Sequence, residues 1–130
     1  MRPVEGEAPP AESLHRNEVV LVGRVAAAPE ERELPSGDLI VVWRLVVDRP
    51  PARKGAPAGT GQRSPTVDTL DCVAWTPGVK RKVVRWEAGD VLAVNGALRR
   101  RFWRAGAAAV SRYEVEVTAA QRLRKADKQK

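Results

Sequence analysis

The sequence has few of the residue types on which enzymes most often depend. Its 130 residues include one histidine, His15, and one cysteine, Cys72. Catalysis usually needs a nucleophile beside a base, a metal cluster or a pair of carboxylates. The acidic residues are scattered without metal-ligand spacing, and no glycine-rich phosphate loop is present. These absences argue against an enzyme and predict no cofactor and no bound metal.

Long apolar runs and pairs of cysteines are also missing. No stretch approaches the roughly 18 apolar residues of a membrane span. Residues 1–10 lack the apolar core of a signal peptide. A single cysteine cannot form an internal disulfide, which fits a reducing compartment. The sequence therefore predicts a cytoplasmic protein that is neither secreted nor inserted in a membrane.

What the sequence does have is positive charge. Lysine and arginine number 23 against 16 aspartates and glutamates, which gives a formal net charge of +7. A domain this basic is a candidate for binding nucleic acid or an anionic membrane surface. A merely solubilising surface is the alternative, and charge alone does not decide between them.

Composition divides the chain into one domain with a polar segment at each end. Residues 1–16 mix proline, glutamate and alanine without periodicity and predict a disordered leader, and residues 124–130 predict a basic frayed tail. Residues 17–123 between them predict a single domain. Within it, residues 49–66 are rich in proline, glycine and basic residues and contain no acid. Such a loop can follow phosphates and become ordered on contact, and a plain flexible linker is the alternative.

Apolar patterning predicts five strands and one helix inside this domain. The strands span residues 19–25, 39–48, 67–75, 91–103 and 110–117 or slightly beyond, and the helix spans residues 76–86. Gly23 interrupts the first strand, where a glycine often marks a barrel bend. Three strands, a helix and two strands is the order of the OB-fold. The sequence therefore predicts an all-β protein, a five-stranded OB-fold Greek-key barrel with one short helix between strands 3 and 4.

Three segments of the chain then carry a common pattern. They are Asn17–Val25 with Pro29–Arg32 and Pro35–Gly37, Asp71–Trp75, and Gly89–Trp103 with Arg112–Val117. In their order and spacing they resemble the bacterial single-stranded DNA-binding protein family over residues 17–123. The resemblance implies a homotetramer, or a dimer, of OB domains that wraps single-stranded DNA. It also implies a nucleoid-associated protein that protects the strand during replication, recombination or repair.

The sequence departs from the family pattern in two ways. Family members often carry an aromatic residue after the second strand and another at the position of Thr69, where this chain has a proline-rich loop and a threonine. The chain ends in Lys-Gln-Lys instead of an acidic tip. The set of stacking rings is therefore reduced, and recruitment of repair enzymes through an acidic tail is not expected. The missing acidic tip points to a secondary or actinobacterial-type paralogue.

The candidate binding residues are aromatic rings and cations. Single-stranded nucleic acid offers a line of phosphate charge and exposed base faces, which arginines and aromatic rings can bind. The resemblance implies stacking at Trp75 and Trp103, and the latter stands among arginines near the end of the fourth strand. The alternatives are that Trp103 caps the barrel and that Trp75 packs in the core. The full predicted DNA-binding set is Trp75, Trp103, Phe102, Arg99, Arg101, Arg24, Arg44, Arg49, Arg53, Lys54, Arg63 and Arg112.

Three other residues are predicted to be structural. Trp43 alternates with aliphatic residues, Trp86 lies on the apolar stripe of the helix, and Cys72 is expected to be a small core residue.

Two other functions stay open: an OB domain that binds structured RNA, and an accessory subunit whose basic surface meets an acidic protein.

Overall fold

Six strands and one helix form the part of the chain that the structure, a computed structural model, describes: residues 14–50 and 66–127. Three of the predicted site residues, Arg53, Lys54 and Arg63, lie outside the described residues, as do residues 1–13 of the predicted leader. The elements are β1 (Val19–Val25), β2 (Glu30–Glu33), β3 (Leu39–Asp48), β4 (Val67–Ala74), α1 (Pro77–Val83), β5 (Val91–Ala105) and β6 (Ala108–Arg124).

Five of the strands close into a barrel. The pairing runs β1–β5–β6–β4–β3, and β3 returns to β1 through the pairs Arg24↔Val46 and Val25↔Leu45. The β4–β6 pairing is parallel and the others are antiparallel. Helix α1 lies between the third and fourth barrel strands. The predicted five-stranded OB-fold barrel with one short helix is therefore confirmed.

The strand β2 is an addition that sequence patterning did not indicate. Its four residues are all exposed, so they show no alternation between apolar and polar positions. It pairs with the first half of β3, from Glu30↔Val42 to Glu33↔Leu39, and lies outside the closed ring. Its strand conformation comes from this pairing and from the turn before β3, where Gly37 has a positive φ of 92°.

Gly23 makes the closure of the barrel possible. A Cβ atom at this position would collide with the carbonyl oxygen of Val46 on β3. The next residue, Arg24, is where β1 pairs with both β5 and β3. The glycine predicted to mark a barrel bend therefore lies at the seam, where the β3 backbone leaves no room for a side chain.

The core lies inside this ring and under the helix. Trp43, Leu45, Leu92 and Val94 are buried, and α1 adds Val83. The prediction of a core position is confirmed for Trp43, which is 5% exposed, and for Cys72, which is 1% exposed. Trp86 departs from its prediction: the helix ends at Val83, and Trp86 follows it and lies half-buried against the edge of the core. The chain leaves the helix there because the Arg85 and Trp86 N–H groups bond to carbonyls three residues back.

The last two strands run further than the sequence pattern indicated. β5 ends at Ala105, and β6 extends from Ala108 to Arg124. Beyond β6, the Ala126 N–H donates to the Asp90 Oδ1 at 2.8 Å, which holds the chain against the turn before β5. No helix in the described ranges is long and apolar enough to cross a membrane.

Candidate nucleic-acid interface

The β5–β6 hairpin projects beyond the rest of the barrel. The pairing of β1 with β5 stops at Val19↔Gly96, whereas β5 and β6 stay paired as far as Ala105↔Ala108. The Asn17 side chain extends the edge by one step, since its amide bonds to both the N–H and the carbonyl of Leu98, at 2.8 and 2.7 Å. We call residues 97–116 the hairpin arm. Its side chains alternate between two sides, which are exposed toward the tip, because successive strand residues point to opposite faces.

One side of the arm continues into a groove on the barrel wall. The groove encloses about 740 Å³. It brings together predicted site residues from three strands: Arg44 of β3, Arg101 and Trp103 of β5, and Arg112 of β6. Trp103 is 41% exposed, so its ring faces solvent instead of capping the barrel core. We call this side of the arm the groove face.

Carboxylates accompany the arginines of the groove face. The Asp71 carboxylate lies 3.3 Å from the Arg44 Nε and 3.7 Å from the Arg112 Nη1. The Arg101 Nε lies 3.4 Å from the Glu114 Oε1. Each acid comes from a strand beside that of its arginine, a relation that requires the sheet register and is invisible in the linear sequence. An incoming phosphate would compete with these acids for the guanidinium groups.

Arg99 also belongs to this side of the arm, and its Nε lies 3.5 Å from the Glu116 carboxylate. Glu114 is the most buried of the acids on the groove face, at 9% exposure. Burial raises its pKa above the usual value, and the neighbouring carboxylates of Asp71 and Glu116 add to this, whereas Arg101 lowers the pKa and offsets part of the rise.

Two further predicted residues are exposed but lie away from the groove. The Arg24 Nη1 bonds to Asp48 at 3.1 Å, and Arg49 makes a bidentate contact with Asp68 at 2.8 to 3.1 Å. The hydrogen bonds with Arg49 hold the pKa of Asp68 below its usual value. Neither arginine lines the groove. Arg49 and Asp68 instead flank the segment 51–65, in which the other three predicted cations lie.

Trp75 follows directly after β4 and is 36% exposed. It does not line the groove. The structure therefore presents Trp75 and Trp103 as separate rings instead of one cluster. Their alternation patterns differ too: Val73 and Ala74 before Trp75 are both buried, whereas the neighbours of Trp103 are exposed.

The other side of the arm carries a second aromatic group. Phe102 and Tyr113 are 71% and 58% exposed, and the Arg100 guanidinium carbon lies 5.0 and 5.5 Å from the centres of their rings. We call this the opposite face. Phe102 belongs to the predicted set, but Arg100 and Tyr113 do not. The sequence alone could have indicated that Phe102 and Trp103 lie on different sides, since consecutive residues of a strand point to opposite faces.

Comparison with known proteins bears on this arrangement. The sequence profile described as the single-strand binding protein family matches residues 16–124. The chain belongs to the single-strand binding protein family. The family resemblance of the three sequence segments is thereby confirmed. The matched range includes every strand of the barrel and the whole hairpin arm.

Similar members of this family occur in bacteria. The "Single-stranded DNA-binding protein 3" of Listeria innocua is 31% identical over 85 residues, 65% of this chain and 49% of the relative. The "Single-stranded DNA-binding protein A" of Bacillus subtilis is 31% identical over 85 residues, 65% of this chain and 45% of the relative. The chain thus spans about half the length of the curated relatives it matches.

A solved structure shares the fold of this chain. It is described as "Plasmodium falciparum SSB complex with ssDNA" and superposes with a TM-score of 0.63. The match covers 82% of this chain and 92% of the other at 17% sequence identity. At that identity the likeness concerns the barrel and its connections.

Proposed function

We propose that this protein binds single-stranded DNA with little sequence preference and acts as a binding protein, not as an enzyme. The observation that carries the proposal is the groove face, where the exposed ring of Trp103 stands beside the guanidinium groups of Arg101 and Arg112. Rings and cations side by side match the two features that every single strand offers. Such a protein would protect exposed strands in replication, recombination or repair, as a nucleoid-associated protein of the cytoplasm.

Binding in the groove would exchange one set of ion pairs for another. Phosphates would take the place of Asp71 and Glu114 on Arg44, Arg112 and Arg101. A base would stack on the ring of Trp103, which is worth roughly 1–3 kcal/mol. The Arg112 guanidinium carbon already lies 5.9 Å from the centre of this ring, so the cation is held where the strand would pass.

The remaining predicted residues would extend this path. Arg24 and Arg49 are exposed on the barrel near the ends of the segment that contains Arg53, Lys54 and Arg63. We include these residues and Trp75 in the proposed contact surface. Each would add a phosphate contact or, for Trp75, a further stacking platform.

We also infer that several copies of the chain assemble, as a homotetramer or a dimer. Val20 and Val22 on β1 are 69% and 52% exposed. They pair with Asn95 and Ala93 of β5, so they form one side of an exposed sheet surface with little charge. Contiguous exposed apolar side chains of this kind mark interaction surfaces. Replacing Val22 by aspartate should disrupt the assembly and lower its mass in native mass spectrometry. An assembly of unchanged mass would place the interface elsewhere.

A competition experiment tests the main proposal. Binding of labelled oligo-dT should be displaced by single-stranded DNA far better than by duplex DNA or by structured RNA. Affinity should fall with salt at a log–log slope of roughly −0.7 for each phosphate neutralised. A preference for structured RNA would favour the RNA-binding alternative. Absence of any affinity for nucleic acid would favour the accessory-subunit alternative.

A further inference from the structure

The opposite face of the hairpin arm differs from the groove face in its charge. On the groove face, Arg99 and Arg101 each lie within 4.0 Å of a carboxylate. Arg100, between them in sequence, points to the other side and bonds instead to the Ser111 Oγ, through Nε at 3.3 Å and Nη2 at 3.1 Å. Among residues 14–50 and 66–127, no carboxylate forms an ion pair with Arg100. Its full charge is available to an anion.

The rings beside this cation are the most exposed aromatic side chains of the described chain. Phe102 is 71% exposed and Tyr113 58%, and Leu98, at 46%, extends the same surface toward the barrel. Arg100 is paired with Tyr113 across the sheet and Phe102 with Ser111. The sheet register therefore holds the Arg100 guanidinium between the rings of Phe102 and Tyr113, within cation–π distance of both.

We propose that the opposite face is a second contact site for single-stranded DNA, in which bases stack on Phe102 and Tyr113 and a phosphate binds Arg100. The proposal rests on the proposed function and extends it. Phe102 and Trp103 are consecutive residues on opposite sides of β5. A single-stranded DNA bound at Trp103 would therefore reach Phe102 by crossing the edge or the tip of the arm. The bound DNA would then contact both sides of the arm.

Charge favours a nucleic acid over a second copy of the chain on this face. In a two-fold symmetric contact the same patch meets itself, which would bring Arg100 of one copy toward Arg100 of the other. With no acid paired to either guanidinium, this contact would be repulsive. A phosphate satisfies the same cation and leaves the rings free for bases.

Three substitutions on this face test the proposal. Phe102→Ala and Tyr113→Ala should each weaken binding of a long oligo-dT about ten-fold, and Arg100→Gln several-fold, without changing the thermal unfolding midpoint. Leu123→Ala and Arg124→Gln serve as controls, because both residues lie on β6 far from the arm tip and are exposed. Quenching of Trp fluorescence by oligo-dT should persist in the Phe102 and Tyr113 variants, since Trp103 is retained.

Each outcome separates this inference from the proposed function. If wild-type protein neither binds nor is quenched by oligo-dT, the proposed function fails. If wild-type protein binds normally and the three variants match the controls, only the second site is overturned. A change in sedimentation mass without a change in DNA affinity would assign the face to a second copy and overturn the proposal too. Should a variant unfold, photo-crosslinking of wild-type protein to iodouridine-containing oligo-dT decides: crosslinks at Phe102 or Tyr113 support the site, and crosslinks confined to other residues overturn it.

Discussion

The Asp71 carboxylate lies directly across the β3–β4 ladder from Arg44, with 3.3 Å between its Oδ1 and the arginine Nε. The same carboxylate lies 3.7 Å from Arg112 on β6. One acid thus neutralises part of the charge of two arginines in the groove. The cations that the sequence singles out for phosphate binding are held in place by an acid that opposes phosphate binding.

Replacing this acid should strengthen DNA binding. Asp71→Asn removes a negative charge from the groove and frees two arginines, so affinity for oligo-dT should rise about two- to five-fold, the range of a partly exposed ion pair. Fluorescence anisotropy at fixed salt measures the change. Asp127→Asn, an exposed position near the end of the described chain, controls for the loss of one charge. Weaker binding of Asp71→Asn would show that the carboxylate acts mainly by positioning its arginines.

Removing the ring of Trp103 should weaken binding and leave the fold intact. The side chain is 41% exposed, so its loss creates no core cavity. We expect Trp103→Ala to reduce oligo-dT affinity by roughly 1–3 kcal/mol and Trp103→Phe to retain most of it, since a ring remains for stacking. A titration combined with a thermal melt checks both points. Early melting of Trp103→Ala would mean that the ring supports the hairpin instead of the ligand.

The single thiol should report unfolding. Cys72 is buried, and desolvation, with smaller contributions from Asp71 and Glu114, raises its pKa to about 12. At pH 8 the reactive thiolate is then roughly one part in ten thousand of the folded protein, far less than for a free cysteine. Labelling with a thiol reagent should therefore be slow in buffer and fast in urea. Rapid labelling of the native protein would contradict the buried position.

Asp90 should make stability depend on pH in the acid range. Its carboxylate accepts N–H bonds from Glu87 and Ala126 at 2.9 and 2.8 Å and pairs with Arg122. Burial raises its pKa, but the two N–H groups and the guanidinium outweigh burial, and the net pKa lies below the usual value. A lowered folded-state pKa contributes stability above the unfolded value of about 3.9, and that contribution is lost as pH falls through the folded pKa.

The variant Asp90→Asn measures this contribution. We expect the free energy of unfolding at pH 7 to fall by about 1–3 kcal/mol, because an amide has only one acceptor oxygen for the two N–H groups and forms no ion pair with Arg122. The difference from the wild type should begin to shrink below about pH 4, where the carboxylate of the unfolded chain starts to bind a proton, and it should shrink further as pH falls through the lower pKa of the folded state. Urea unfolding at several pH values gives the comparison, with Asp127→Asn as the control. A difference that stays constant down to pH 3 would rule out the ionised carboxylate as its cause.

Much of the fold is predictable because its strands carry strong local signals. The run Val19–Val25 contains four β-branched valines, and its bounds agree with β1. The segment β2 lacks such a signal and depends on its partner strand. The extension of β6 to Arg124 is likewise set by its pairing with β5, since its last four residues are exposed and three of them are polar.

The candidate site is predictable only in part. Residue type indicates Trp103 and its neighbouring arginines, because rings and cations suit single strands. The acids that face them do not follow from the linear order: Asp71 lies 27 residues from Arg44 and meets it through the register of two strands. Sorting the arm residues by side likewise needs the pairing Arg101↔Arg112, which fixes the two strands relative to each other.

The hairpin arm also has a consequence for how its sequence can change. Since its side chains alternate with a period of two, any single substitution alters one side and leaves the other as it was. An insertion or deletion of one residue between Gly96 and Trp103 would do the reverse, exchanging acid-paired and unpaired arginines in one step. A change in the length of this segment therefore alters both sides of the arm at once, whereas a substitution alters only one.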